Sequence, residues 1–119
     1  MERLAERIAQ NGWHIDYGIL GSKYVLNMLG EYGRTDVIYK MLTREDYPGY
    51  LYWVAHGCTT LAECWNLGGS HNHYMFSDVS AVFYRYFAGI RPDGDIPAYR
   101  SFLLAPALDL AIDTLSCSV

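Results

Sequence analysis

The sequence predicts a mainly α domain that ends in a short β tail, and three observations lead there. Apolar residues recur at helical spacing through four stretches before residue 91, each closed by Gly, Asn or Pro. After Arg91-Pro92-Asp93-Gly94 the spacing changes to alternation, most visibly Leu108, Leu110 and Ile112 against Asp109, Ala111 and Asp113. Finally, 119 residues that are 51% hydrophobic and 18% charged supply a core for one domain and exclude a disordered or fibrous chain.

Residues 2–10 place Leu4, Ile8 and the alanines on one face and Glu2, Arg3, Glu6 and Arg7 on the other, with Asn11-Gly12 as the stop. Residues 13–18 connect. Ile19, Leu20, Tyr24, Leu26, Met28 and Leu29 form a broad apolar stripe closed by Gly30 and Gly33, which predicts a largely buried second helix. Thr35 or Asp36 is placed to cap a third helix through Val37, Ile38, Met41 and Leu42, because either side-chain oxygen can accept from the free amides of a first turn. Pro48-Gly49 ends that segment. Tyr50 to Val54 is aromatic and β-prone but too brief to assign, and Gly57 interrupts it. Cys58 to His73 is irregular and Gly-containing, the kind of segment that often holds chemistry. From Tyr74 to Ile90 a helical face returns through Met75, Phe76, Val79, Val82, Phe83, Tyr86 and Phe87. Past the breaker, Tyr99–Leu104 and Leu108–Leu115 read as strands.

Charge and patterning exclude several function classes. Nine Lys and Arg against 13 Asp and Glu give a net charge of −4, and the basic residues are scattered, which argues against a nucleic-acid partner. No apolar run approaches the roughly 18 to 20 residues of a membrane span, and the N-terminus lacks the cationic and apolar regions of a signal peptide. Cys58, Cys64 and Cys117 are odd in number and at no finger spacing, so a reducing compartment fits, and a cytoplasmic location is expected for the chain as it stands. Aromatic residues reach 15%, with 11 Tyr, which suits either a sugar cleft or a wet-edged core.

Four constellations bear on chemistry. Glu63 is a lone carboxylate among apolar and aromatic neighbours; such surroundings raise a carboxyl pKa and tune glycosidase acids and bases, whereas the plain alternative is a Glu that reaches water or caps a backbone. His71 and His73, with His56, Cys58, Cys64 and Glu63 nearby, are zinc-compatible in type, but the spacing matches no established structural site. Cys58 or Cys64 with a histidine base would make a thiol nucleophile, although a Cys among apolar residues is usually inert. Trp13, Tyr17, Trp53, Trp65 and Tyr74 offer faces for a pyranose ring, or simply pack.

A family resemblance weighs these readings. Gly57-Cys58-Thr59-Thr60-Leu61-Ala62-Glu63-Cys64-Trp65, then Gly69-Ser70-His71-Asn72-His73-Tyr74-Met75-Phe76, then Phe83-Tyr84 and Ala88-Gly89-Ile90-Arg91-Pro92-Asp93 resembles the late catalytic-domain signature of bacterial α-L-rhamnosidases. Residues 11–24 resemble an inner-helix segment of the same family, and Tyr99 to Ala107 the strand that opens its C-terminal β-sandwich. The resemblance implies helical hairpins of an (α/α)6 toroid over residues 1–92 and the start of a β-sandwich over 93–119. It implies inverting hydrolysis of terminal α-L-rhamnosides, with Glu63 as general base and His73 and Trp65 against the sugar; from the aromatic set, Trp53 is added as a further candidate for sugar binding. No metal or cofactor is implied.

The sequence also departs from the family pattern. Ala62 stands where a large aromatic is usual, and Ser77 and Val82 stand where Gly and Trp are common, losses that would widen the subsite. The family's general acid lies in earlier hairpins, so the chain alone is expected to be inactive or very slow. The alternative function is a non-catalytic, oligomeric interaction module derived from such an enzyme. A homo-oligomer is expected because Leu4 and Ile8 at one end, and Val79, Val82, Phe83 and Phe87 at the other, exceed what so few helices can cover. The β-prone tail is expected to lie in the contact.

Overall fold

A computed structural model describes residues 1–94 and 96–118. In chain order it has α1 (Glu2–Gln10), α2 (Ile19–Glu31), α3 (Thr35–Leu42), α4 (Tyr50–Ala55), a 3-10 turn (Tyr74–Phe76), α5 (Asp78–Val82), a π turn (Phe83–Phe87), β1 (Ile90–Pro92) and β2 (Phe102–Leu104). The mainly α class with a short β element is as the sequence predicts. The segment from Tyr50, left open by its composition, is helix α4.

Three helices stop in the same way. At the end of α2, Gly33 adopts φ +68°, its N–H donates to Gly30 O, and the Arg34 N–H donates to Leu29 O. This left-handed closure satisfies two of the last carbonyls, and only glycine enters it without steric cost. Gly12 closes α1 and Gly57 closes α4 with the same bond pattern. The start of α3 differs from expectation: neither Thr35 nor Asp36 caps it. Asp36 instead takes both arms of Arg34, at 2.9 and 3.0 Å, and that guanidinium holds its carboxyl below the usual range.

Helix α2 lies at the centre, against α3 on one side and α5 with the π turn on the other. Leu26, Leu29, Val37, Ile38, Met41, Val82 and Phe87 meet in one core, joined by Ala5 and Ile8 of α1. The flanks expected to stand open are therefore mostly closed, since Ile8, Val79, Val82 and Phe87 are buried while Phe83 remains exposed. Helix α2, expected to be largely buried, is buried on one face only. Leu20, Tyr24, Met28 and Tyr32 follow one another at four-residue intervals on its outer side, all exposed.

The helix expected over Tyr74–Ile90 is present from Tyr74 to Phe87, but its hydrogen bonding changes along the way, from a 3-10 turn through α5 to the π turn. Within the π turn Phe83–Phe87 the consecutive residues Tyr86 and Phe87 are both buried, as are Val37 and Ile38 in the regular turns of α3. The tail also differs. β2 pairs with β1 in antiparallel register, Ile90 opposite Leu104 and Pro92 opposite Phe102, so the ribbon links residues on either side of position 92. Leu108–Leu115 forms no strand, because its apolar residues share no buried face: Leu110 packs on the core while Leu108 is 89% exposed. The tail is strapped down by the Ala107 N–H on Phe87 O and by the Tyr39 hydroxyl on Ala111 O, both at 3.0 Å.

Gly30 matters for packing as well as for helix ending. A Cβ there would lie 2.3 to 2.5 Å from ring carbons of Tyr86, whose hydroxyl is fixed by donation to Glu31 Oε1 at 2.7 Å. Gly30→Ala gains about 1 kcal/mol of helix propensity but forces overpacking worth about 1–3 kcal/mol against an anchored ring. The variant is expected to be the less stable protein, with a Tm lower by several degrees in a thermal melt.

Buried phenols set the alkaline limit. Burial pushes Tyr50 up to about 12 and Tyr17 well above its ordinary range. Burial and donation to Glu31 push Tyr86 up to about 12. The unfolded chain ionises these groups at about pH 10, so their contribution is intact below that pH and is lost as pH rises from about 10 towards 12. Denaturant titrations across that window are expected to show falling stability, with a shallower fall in Tyr86→Phe.

Candidate active site

The loop from Cys58 to His73 doubles back on itself through a short ladder. Thr60 Oγ1 donates to His71 O, the His73 N–H donates to Leu61 O at 2.9 Å, and the Glu63 N–H donates to Ser70 O at 2.9 Å. The Ser70 N–H returns a bond to Glu63 Oε2, also at 2.9 Å. Gly69 makes this closure possible, with φ +76° and a position where a Cβ would fall 2.5 Å from Glu63 Oε2. The ladder brings His73 Nδ1 to 3.8 Å from Glu63 Oε2, so two of the residues singled out in the sequence share one spot.

The environment of Glu63 is wetter than its neighbours in sequence suggest. Its side chain is 40% exposed and that of His73 28% exposed, so the apolar residues around the carboxylate do not enclose it. Ala62 is fully buried in one cluster with Trp53 and Phe76.

Trp65 and Trp53 occupy different levels. The rings stack with centroids 4.5 Å apart, and Phe76 tilts against Trp65 at 4.3 Å. Trp53 Nε1–H donates to Trp65 O at 3.0 Å, and Trp65 Nε1–H donates to Tyr17 O at 2.9 Å. Trp65 is half-buried and reaches the surface, whereas Trp53 is 2% exposed and lies beneath it. In this chain Trp53 thus has no free face, and its place is that of a support for Trp65.

Two shallow depressions meet at Trp65. One, of about 630 Å³, is lined by Glu63, Trp65, Asn66, Phe76, Leu20 and Tyr47 among others. The second, of about 510 Å³, includes His14, Asp16, Tyr17, Tyr47, Pro48 and Trp65. Gly18, Tyr47 and Trp65 border both, so the two form one trough with Glu63 in one compartment and Asp16 in the other. His73 lies beside Glu63 at the rim. Sequence patterns do not mark Ser70, which acts through a backbone N–H and has no side-chain signature. Nor do they mark Tyr47, whose only signal is an aromatic beside the Pro48-Gly49 break.

The other histidines are engaged locally. His71 Nε2 lies 2.8 Å from Leu67 O and His56 Nδ1 lies 2.8 Å from Tyr52 O. Among the described residues no three His, Cys, Asp or Glu side chains converge as a metal site would require. Cys58 is half-buried and Cys64 and Cys117 are exposed, all three as free thiols. Nor is any helix among the described residues long and apolar enough to cross a membrane.

Comparison with known proteins bears on this trough. Residues 1–87 match the family described as the bacterial alpha-L-rhamnosidase 6 hairpin glycosidase domain. The chain is 32% identical over 106 residues to the alpha-L-rhamnosidase of Alteromonas sp. (strain LOR), covering 80% of this chain and 11% of that protein. It is 33% identical over 116 residues to the alpha-L-rhamnosidase of Streptomyces avermitilis, covering 88% and 11%. The crystal structure of a Streptomyces avermitilis α-L-rhamnosidase complexed with L-rhamnose superposes with a TM-score of 0.80 at 31% identity, over 89% of this chain and 11% of that one. The α-L-rhamnosidase structure from Dictyoglumus thermophilum gives a TM-score of 0.66 at 40% identity, over 74% and 10%. The chain spans about a tenth of the length of the relatives it matches, 11% in both sequence comparisons. Sequence and fold agree that this chain belongs to the bacterial α-L-rhamnosidase family and corresponds to part of its six-hairpin glycosidase domain.

Proposed function

We propose that this chain carries the water-activating side of an inverting α-L-rhamnosidase site. The observation that supports this reading best is the Glu63 carboxylate, held through Oε2 by the Ser70 amide at the edge of a depression that it shares with Trp65. In inverting hydrolysis a carboxylate takes a proton from water while the water oxygen attacks the anomeric carbon, and a second carboxyl group, roughly 6.5 to 9.5 Å away, protonates the departing oxygen. Glu63 takes the first of these roles, because the Ser70 bond fixes one oxygen and leaves Oε1 for the water. His73 offers a ring nitrogen to a sugar hydroxyl, and Trp65 offers an aromatic face. Trp53 works through Trp65, as the stacked support that sets the height of that face.

The acid is assigned to the part of the enzyme outside these 119 residues, in keeping with a match that spans 11% of each of these relatives. A base without an acid must expel an unprotonated leaving group, and general-acid help is worth roughly 10² to 10⁴ in rate. Hydrolysis of alkyl α-L-rhamnosides by the chain alone is therefore expected to be undetectable. A dinitrophenyl α-L-rhamnoside, whose leaving group needs no proton, should be cleaved slowly, and Glu63→Gln should abolish that residual rate. Equal rates in the parent chain and in Glu63→Gln would remove Glu63 from the base role.

A second reading, a non-catalytic oligomeric module, is favoured by the surface. Leu20, Tyr24, Met28 and Tyr32 form an exposed stripe along α2, and Phe102, Leu103 and Leu104 of β2 are exposed beside a strand edge. On this reading light scattering at micromolar concentration shows a dimer, and Tyr24→Glu together with Met28→Glu returns it to a monomer. A monomer before substitution would rule the reading out.

A further inference from the structure

The trough holds an aromatic residue to which the proposed chemistry assigns no part. Tyr47 is 52% exposed and borders both compartments, on a boundary otherwise made by Gly18 and Trp65. Its ring is held edge-on by Tyr52, with centroids 5.5 Å apart, and Tyr52 is itself tilted onto His56 at 4.1 Å. An exposed aromatic that is braced in this way loses little freedom when a ligand covers it, which favours its use as a binding wall.

The lining around Tyr47 is divided by chemistry. In the larger compartment Leu20, Tyr47 and Trp65 supply apolar surface over the buried Phe76, while Glu63 and Asn66 supply the polar side. Leu20 is 78% exposed at the first turn of α2, where it borders this trough. A pyranose carrying a hydroxymethyl at C6 fits such a wall less well, because a hydroxyl placed on it loses its water without gaining a partner. A 6-deoxyhexose, with a methyl group and C–H edges along one side and hydroxyls along the other, matches both sides of the trough.

We infer that Tyr47 is a specificity-determining binding residue of this site, one that receives the apolar, methyl-bearing edge of a 6-deoxyhexose. This rests on the reading of the trough as the sugar site proposed above, and it adds a residue and a selectivity to that reading. Discrimination at the level of one substituent in an apolar pocket is worth about 10-fold to 200-fold. An open trough should lie at the low end, about tenfold.

The test is ligand-observed NMR on the full chain with L-rhamnose and with L-mannose, which carries a hydroxymethyl in place of the methyl, both at millimolar concentration. The unmodified chain is expected to transfer saturation most strongly to the rhamnose methyl and to prefer L-rhamnose by about tenfold. Tyr47→Ala should weaken L-rhamnose by a similar factor and erase the preference, whereas Tyr47→Phe, which keeps the ring, should retain both. Circular dichroism of Tyr47→Ala should match the parent, since the side chain is half in solvent. If Tyr47→Ala keeps its affinity and preference while Trp65→Ala loses them, the role of Tyr47 is overturned and the sugar-site reading stands. If the unmodified chain binds neither sugar, both fall.

Discussion

Two indole N–H bonds hold the candidate site to the helices. Trp53, on α4, donates to the carbonyl of Trp65, and Trp65 donates to the carbonyl of Tyr17 in the connection before α2. Each bond joins segments distant in sequence, and each engages a donor that would otherwise lose its water without replacement. A paired amide-type bond is worth about 1 kcal/mol net, but an orphaned buried donor costs about 1–3 kcal/mol, so the arrangement is enforced chiefly by the penalty for leaving it. The stacked rings between the two bonds add apolar burial along the same line. Without this relay the loop from Cys58 to His73 would have its own ladder but no fixed position on the domain.

The ladder and the relay divide the work. The ladder sets the internal geometry of the loop, turning Glu63 towards Ser70 and His73; the relay sets where that geometry sits relative to α2 and the Tyr47 turn. Preorganisation of this sort suits the base role proposed for Glu63, because a carboxylate that wanders must be reordered before it can accept a proton. Glu63 nevertheless remains substantially open to water in this chain. On the proposed reading the chain would supply one side of a sugar site, in keeping with a match to 11% of the relative's length.

Helix α2 is likewise divided between a closed side and an open one. Its buried face satisfies the core, while its outer stripe of Leu20, Tyr24, Met28 and Tyr32 stands largely in solvent. Isolated apolar residues on a surface need no explanation, but four in register along one helix make a continuous strip. The first of them, Leu20, also borders the trough, so the strip and the candidate site are continuous at the start of α2.

The sequence by itself determined α1 and α2 with their ends and the start of α3, because spacing and glycine act locally: Asn11-Gly12 and Gly33 stop helices wherever the chain goes next, whereas α4 was not legible. It also singled out Glu63, His73 and Trp65, through a family pattern spread along the chain. Tertiary structure alone decided the rest. Tyr86 and Phe87 face the core from a π turn, which apolar spacing alone does not foretell. β1 pairs with β2 because Leu104 returns beside Ile90, an outcome of where the chain crosses and not of alternation in the tail. Trp53 lies beneath Trp65 although its composition fits either a wall or a core, since burial depends on what stacks above it. Tyr47 joins the trough through its position beside Trp65, a neighbour 18 positions away in sequence, and proximity of that kind is set by packing and leaves no local mark on the chain.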